Sequence, residues 1–199
     1  MSISTQYEVP TWNQIYEMLL VQAQKIHNDN YKSDITVGIS RGGIVSSRIL
    51  ADFLETEDFA IIAIEYYTGI ARTSQEPVLK QGFYSQLTGK KVLLVDDVSD
   101  RGKSLQLPKK HFEQQNVKEI KIANIYSKPG TIAKPDYCEK ETRHWIVFLG
   151  EGREMMREIL LKTESKCAAD KEIAKLVKAG LPKELAEKFL KDMQWKDSQ

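Results

Sequence analysis

Apolar residues in this chain fall into short continuous runs, separated by longer stretches in which they recur every three or four positions. The runs at residues 35–39, 60–66, 92–95, 120–126 and 145–148 read as strands. Their lack of polar alternation predicts strands buried on both faces. Helical spacing marks residues 11–26, with Thr11 as the N-cap, then 44–54 and 104–115. Strands alternating with helices predict an α/β fold, a mostly parallel sheet with helices on both faces. In such sheets ligands gather at the carboxyl ends of the strands.

The pattern breaks twice. Between Thr68 and Gln86 the chain is polar, with two glycines and a proline, and reads either as a functional loop or as a long hairpin arm. From about Thr163 the composition shifts to lysine, glutamate and alanine. Ile173, Leu176 and Val177 share a helical face there, Gly180 supplies a stop, and Pro182 starts a further helix carrying Leu185, Phe189 and Leu190. The expected division is a core over residues 1–160 and a small helical extension over 161–199, too small to be stable alone.

Charge adds mainly exclusions. Twenty-nine basic residues against 28 acidic ones leave a net charge of +1, so no field of one sign points to nucleic acid or a membrane as partner. No apolar run approaches the ~20 residues that span a bilayer, and the N-terminus lacks a secretory pattern. Cys138 and Cys167 are isolated, and His27, His111 and His144 are scattered, which disfavours a disulfide framework or zinc site and suggests a cytoplasmic location. Any anion site must be local.

The richest segment is Val92 to Leu105, VLLVDDVSDRGKSL. A buried strand runs into Asp96 and Asp97, then a tight loop, Ser99, Asp100, Arg101, Gly102, Lys103, Ser104, opens a helix. Backbone N–H groups, the Ser104 hydroxyl and the helix dipole suit a phosphate dianion. A Walker A loop is excluded, because Asp97 stands where that pattern needs glycine. Paired carboxylates beside a phosphate loop suit ribose hydroxyls or a metal. A second loop, Ser40, Arg41, Gly42, Gly43, follows the first predicted strand and offers backbone amides and a bidentate guanidinium to another anion.

Together these strings resemble the type I phosphoribosyltransferases, over about Tyr7 to Arg153. The resemblance implies that Asp96 and Asp97 hold the ribose hydroxyls of 5-phosphoribosyl pyrophosphate (PRPP). Residues Ser99 to Ser104 would wrap its 5′-phosphate, and Asp100 would handle the purine proton. Ser40, Arg41, Gly42 and Gly43 would bind pyrophosphate, across a peptide before the arginine that is often cis in the family. Arg101 is a departure, since many members carry threonine there.

Further along, Lys128 matches a donor to the purine O6, Trp145 a stacking aromatic, and Ile146 a backbone contact to the base. Glu151, with Asp96 and Asp97, would help hold Mg²⁺ delivered with PRPP. The implied enzyme of purine salvage converts PRPP and a purine base to a purine nucleoside monophosphate and pyrophosphate, as a homodimer or homotetramer, with residues 69–77 closing over the site.

Leu149-Gly150 replaces the family's Pro-Trp, and some archaeal relatives with C-terminal helices use adenine. These two points lean the expectation toward adenine, converted to AMP, with Lys128 swung off the base. The alternative is a 6-oxopurine: hypoxanthine, guanine or xanthine. A PRPP- or nucleotide-sensing regulator is the rival of another class. It is disfavoured because Arg41, Asp100 and Lys128 are all present and the tail from Lys162 carries nine lysines against seven acids.

Overall fold

The first four apolar runs become strands in the computed structural model, which describes residues 6–67, 76–81 and 87–197. The elements are β1 (Tyr7–Glu8), α1 (Trp12–Asn28), β2 (Ile35–Ser40), α2 (Gly43–Phe53), β3 (Asp58–Tyr67), β4 (Glu76–Gln81) and β5 (Lys91–Ser99), then α3 (Lys103–Glu113), β6 (Glu119–Ser127), β7 (Tyr137–Glu141) and β8 (Trp145–Ile146). A 3₁₀ turn over Leu149–Glu151 leads into α4 (Gly152–Lys162), α5 (Lys166–Ala179) and α6 (Lys183–Asp197). Thr11 caps α1 as its sequence suggests: its hydroxyl accepts from Gln14 N–H at 3.2 Å while Gln14 Oε1 accepts from Thr11 N–H at 2.8 Å. No helix among the described residues is long and apolar enough to cross a membrane.

The chain divides into two compact units, Tyr16–Arg143 on the one hand, and the described parts of Met1–Ile15 and His144–Gln199 on the other. The first unit holds a six-stranded sheet in the order β4-β3-β2-β5-β6-β7. Strands β3, β2, β5, β6 and β7 run parallel, and β4 is antiparallel to β3. On one face, Ile35, Val37, Ile39, Val92, Leu94 and Ile122 pack with Leu105 and Phe112 of α3. The alternate residues Leu93, Val95, Ala123 and Ile125 are just as buried, which is why the run of apolar residues is continuous.

The path through this sheet decides where ligands go. From β2 the chain moves outward to β3 and β4, then returns to place β5 on the other side of β2, and continues outward to β6 and β7. Strand order therefore reverses between β2 and β5, and the loops after these two strands diverge to leave a crevice at their carboxyl ends.

Two strands of the main sheet carry no clear sequence pattern. β7 is polar (YCEKE) and lies at the edge of the sheet, where it buries only Tyr137. β4 lies in the stretch with the broken pattern and forms an antiparallel hairpin with β3, so an arm exists there. The proposed closing segment 69–77 lies outside the described residues except for its last two positions, which belong to β4. The run at 145–148 does not extend the main sheet: only Trp145–Ile146 is strand, and it pairs in parallel with β1.

In the second unit, Trp145 N–H donates to Gln6 O at 2.8 Å and Val147 N–H to Glu8 O at 2.9 Å. Val9 and Val147 share a core with Met156 and Ile159 of α4, Ala169, Ile173 and Leu176 of α5, and Ala186 and Met193 of α6. The tail thus buries its apolar faces against the ends of β1 and β8. Gly180 ends α5 with φ +128°, and a Cβ there would come within 2.6 Å of Val9 O. Tyr7 donates to Glu172 at 3.2 Å, and burial, helped by that carboxylate, pushes its hydroxyl up to about 12.

Candidate active site

Parallel pairing places three of the sequence-selected segments on adjacent strand ends: Ser40–Gly43 after β2, Asp96–Ser104 at the end of β5, and Lys128 just after β6. The first loop contains a cis peptide between Ser40 and Arg41. Both its glycines are required by close approach. A Cβ on Gly42 would sit 2.2 Å from Asp97 Oδ2, and one on Gly43 would sit 2.4 Å from Val95 O. The loop therefore rests directly on the end of β5, with Arg41 exposed and α2 starting at Gly43 without a side-chain cap.

At the end of β5, Asp96 and Asp97 are both nearly buried. Asp96 Oδ1 accepts from Asp97 N–H at 3.0 Å, and Asp97 Oδ1 accepts from Val98 N–H at 2.6 Å. Burial raises the Asp97 carboxyl above the usual carboxylate range, and the Val98 N–H only partly offsets it. Such a carboxyl gains from hydroxyl donors brought by a ligand.

The next residues form the anion loop. Asp100 and Arg101 are exposed, Gly102 takes φ +81°, and α3 begins at Lys103 with no side-chain cap. The first N–H groups of a helix have no i−4 partner within the helix, and the N-cap Gly102 has no side chain with which to cap them. That leaves the positive end of the α3 dipole for an anion beside Ser104. Ser99 behaves differently from the expectation that it wraps phosphate. Its side chain is fully buried, and its hydroxyl is 2.7 Å from Thr131 Oγ1 and 3.1 Å from Ala133 O, so it holds protein rather than ligand.

Lys128 is tied to this loop through its backbone: its N–H donates to Ser99 O at 2.9 Å. Residues absent from the sequence reading complete the support. Ile132 N–H donates to Arg101 O at 3.2 Å. Asn124, wholly buried on β6, presents its side-chain oxygen 3.2 Å from Ser99 N–H in the orientation its neighbours require. Gln22 of α1 donates to Asn124 O at 2.8 Å. The one hint in the sequence was that Asn124 is a polar residue within the apolar run of β6 and Thr131 a polar residue shortly after it.

The remaining selected residues belong to the other unit. Trp145 is 53% exposed, so it is not a core residue, whereas Ile146 beside it is buried. Glu151 closes the 3₁₀ turn that precedes α4. Among the described residues, no three carboxylates, histidines or cysteines cluster to hold a metal unaided.

With this geometry in place, the chain matches the family described as "Phosphoribosyl transferase domain" over residues 11–151. A purine phosphoribosyltransferase structure from Pyrococcus horikoshii is 34% identical with TM-score 0.67, covering 71% of this chain and 92% of that one. The xanthine-guanine phosphoribosyltransferase of Cereibacter sphaeroides is 29% identical over 69% of this chain and 83% of its own length. The hypoxanthine-guanine phosphoribosyltransferase of Streptococcus pyogenes is 25% identical over 60% of this chain and 69% of its own. The chain belongs to the phosphoribosyltransferase family, and within it is a purine phosphoribosyltransferase, a pentosyltransferase.

Proposed function

We propose that this enzyme transfers the 5-phosphoribosyl group of PRPP to N9 of a 6-oxopurine, giving the purine nucleoside monophosphate and pyrophosphate. The observation that carries the reading is the convergence of the Ser40–Gly43 loop, the Asp96–Ser104 loop and Lys128 on neighbouring strand ends at the reversal between β2 and β5. The lean toward adenine is given up. Similar enzymes carry the names hypoxanthine-guanine, xanthine and xanthine-guanine phosphoribosyltransferase. The bond from Lys128 N–H to Ser99 O fixes the backbone from which this lysine projects. An ammonium donor suits the O6 carbonyl and opposes the adenine amine, itself a donor.

In this reading α3's amino end, with Gly102, Lys103 and Ser104, holds the 5′-phosphate, and that remote binding orients C1 of the ribose. Asp96 and Asp97 accept from the 2′- and 3′-hydroxyls. The C1–O bond breaks with its electron pair leaving on pyrophosphate, whose charge Arg41 and the amides of Gly42 and Gly43 meet. N9 attacks C1, and the proton shed by the imidazole passes to Asp100, which is exposed at the head of the loop. Trp145, half exposed, and Ile146 are the residues that the family resemblance assigns to the base.

Magnesium fits as a companion of the substrate. With no protein cage among the described residues, Asp96 and Asp97 would help hold a metal that arrives with PRPP and that would neutralise the leaving pyrophosphate. The test is initial-rate turnover of PRPP and Mg²⁺ with adenine, hypoxanthine, guanine and xanthine, repeated with Lys128→Ala. Efficient 6-oxopurine turnover that falls roughly 10- to 100-fold in the variant, the cost of a charged hydrogen bond, is expected. Efficient adenine turnover unaffected by the substitution would overturn the base assignment.

A further inference from the structure

The segment from Lys128 to Ala133 does more than connect β6 to β7. Four hydrogen bonds and one close packing contact tie it to the anion loop. Lys128 N–H donates to Ser99 O at 2.9 Å and Ile132 N–H to Arg101 O at 3.2 Å. Ser99 Oγ lies 2.7 Å from Thr131 Oγ1 and 3.1 Å from Ala133 O. Gly102 packs so closely that a Cβ there would meet Ala133 N at 2.6 Å and Thr131 Oγ1 at 2.7 Å. A further bond, Thr131 N–H to Lys128 O at 3.2 Å, closes the segment on itself and makes it a stiff turn.

Donor counting fixes the direction of the hydroxyl chain. Ala133 O can only accept, so the Ser99 hydroxyl proton goes to it, and Ser99 Oγ then needs a donor. Thr131 O–H, at 2.7 Å, is that donor. Thr131 can bond Ala133 O only at 3.4 Å, too long to compete. One threonine hydroxyl therefore sits between the turn that carries Lys128 and the strand end that starts the anion loop.

We propose that Thr131 is a positioning residue that sets the register of Lys128 against the 5′-phosphate loop, so that the base and PRPP subsites are built as one piece. This rests on the assignment of the loop to PRPP and of Lys128 to the base. Thr131 acts through Ser99 and Lys128 and touches no substrate itself. A side chain that merely filled space would tolerate valine, which has nearly the same shape but no donor.

The experiment compares Thr131→Val, Thr131→Ser, Ser99→Ala and the Ser99→Ala/Thr131→Val pair in full-length enzyme, reading KM for PRPP and for hypoxanthine, kcat and thermal midpoint. Thr131→Val is expected to raise both KM values roughly five- to tenfold, the loss of one hydrogen bond. Thr131→Ser should restore them, and the double variant should match the single variants rather than multiply them. Should Thr131→Val be insoluble, the contrast between Thr131→Ser and Ser99→Ala decides the same question.

Unchanged KM values in Thr131→Val or in Ser99→Ala, or strict multiplicativity in the double variant, would overturn the proposal. Lys128→Ala serves as the separate control. If it leaves 6-oxopurine turnover intact, the base assignment fails whatever Thr131 does; if it behaves as expected while Thr131→Val is silent, only the positioning role fails.

Discussion

The two anion loops at the β2 and β5 strand ends are supported in opposite ways. Ser40–Gly43 leans on a group that is itself part of the site, because the space next to Gly42 is filled by the Asp97 carboxylate. The loop that begins at Asp100 leans on a neighbouring loop, because the space next to Gly102 is filled by Thr131 and by Ala133 backbone. Glycine clears room in both cases, but what occupies the room differs. Disturbing Gly42 should reach the Asp97 carboxylate directly, whereas disturbing Gly102 should reach the turn of Lys128.

The largest expected effect is from Gly102→Ala. It combines a left-handed backbone, costing an L-residue about 1–2 kcal/mol, with a clash on backbone that cannot rotate away. Turnover should fall by about 10²-fold or more, as for a misplaced reacting group, with a lower thermal midpoint. Wild-type kinetics from this variant would break the account of the loop.

Gly42→Ala comes next. Its new methyl must push the Asp97 carboxylate, so kcat/KM for PRPP should drop by about 10²-fold while the fold survives. A loss confined to the purine KM would show that the two loops are not distinguished in this way.

Asp97→Asn sharpens the comparison through pH. Burial raises the Asp97 pKa in the folded chain, so between the ordinary carboxylate value near 3.8 and that raised value the folded state binds the proton better than the unfolded one. Stability from this group is therefore greatest below the window and falls as pH rises through it. Asn abolishes that slope and should raise the thermal midpoint at neutral pH while weakening PRPP binding. Because ribose hydroxyls favour the ionised carboxylate, PRPP binding to the unsubstituted enzyme should tighten as pH rises through the same window. Calorimetry and thermal melts across pH would check both signs, and a lower midpoint for Asn at neutral pH would contradict the burial argument.

The smallest effect belongs to Ser104→Ala. It removes one hydroxyl from a site otherwise built of backbone amides and should raise the PRPP KM by about three- to tenfold, one neutral hydrogen bond. No change at all would leave the phosphate entirely to the backbone and the dipole.

Much of this molecule could be read along the chain, for a reason visible at β5. The strand needs apolar residues on both faces, and its apolar run gives way to Asp96 and Asp97 near its carboxyl end, where the crevice opens. The same logic marked β2 before Ser40 and β6 before Lys128. What escaped were contacts made by residues of unremarkable type. Thr131, Ala133 and Asn124 matter through where they sit, and Ser99, which looks like a phosphate ligand in sequence, is turned inward to meet them. The polar edge strand β7 and the two-residue strand β1 are likewise too exposed or too short to leave a periodic trace, and the apolar run at 145–148 marked β8 without revealing its partner.

The sequence alone determined the parallel α/β architecture, the two anion loops, the acid pair and the purine phosphoribosyltransferase resemblance, since each is carried by residues close together along the chain. Tertiary structure decided the rest. It set β2 against β5 so that the strand order reverses between them, and it joined residues 7–9 to 145–147 in a unit shared with the C-terminal helices. It also locked the Lys128 turn onto the phosphate loop. These outcomes pair segments far apart in sequence through backbone hydrogen bonds and shape, to which nearly any residue type contributes, and so no local pattern records them.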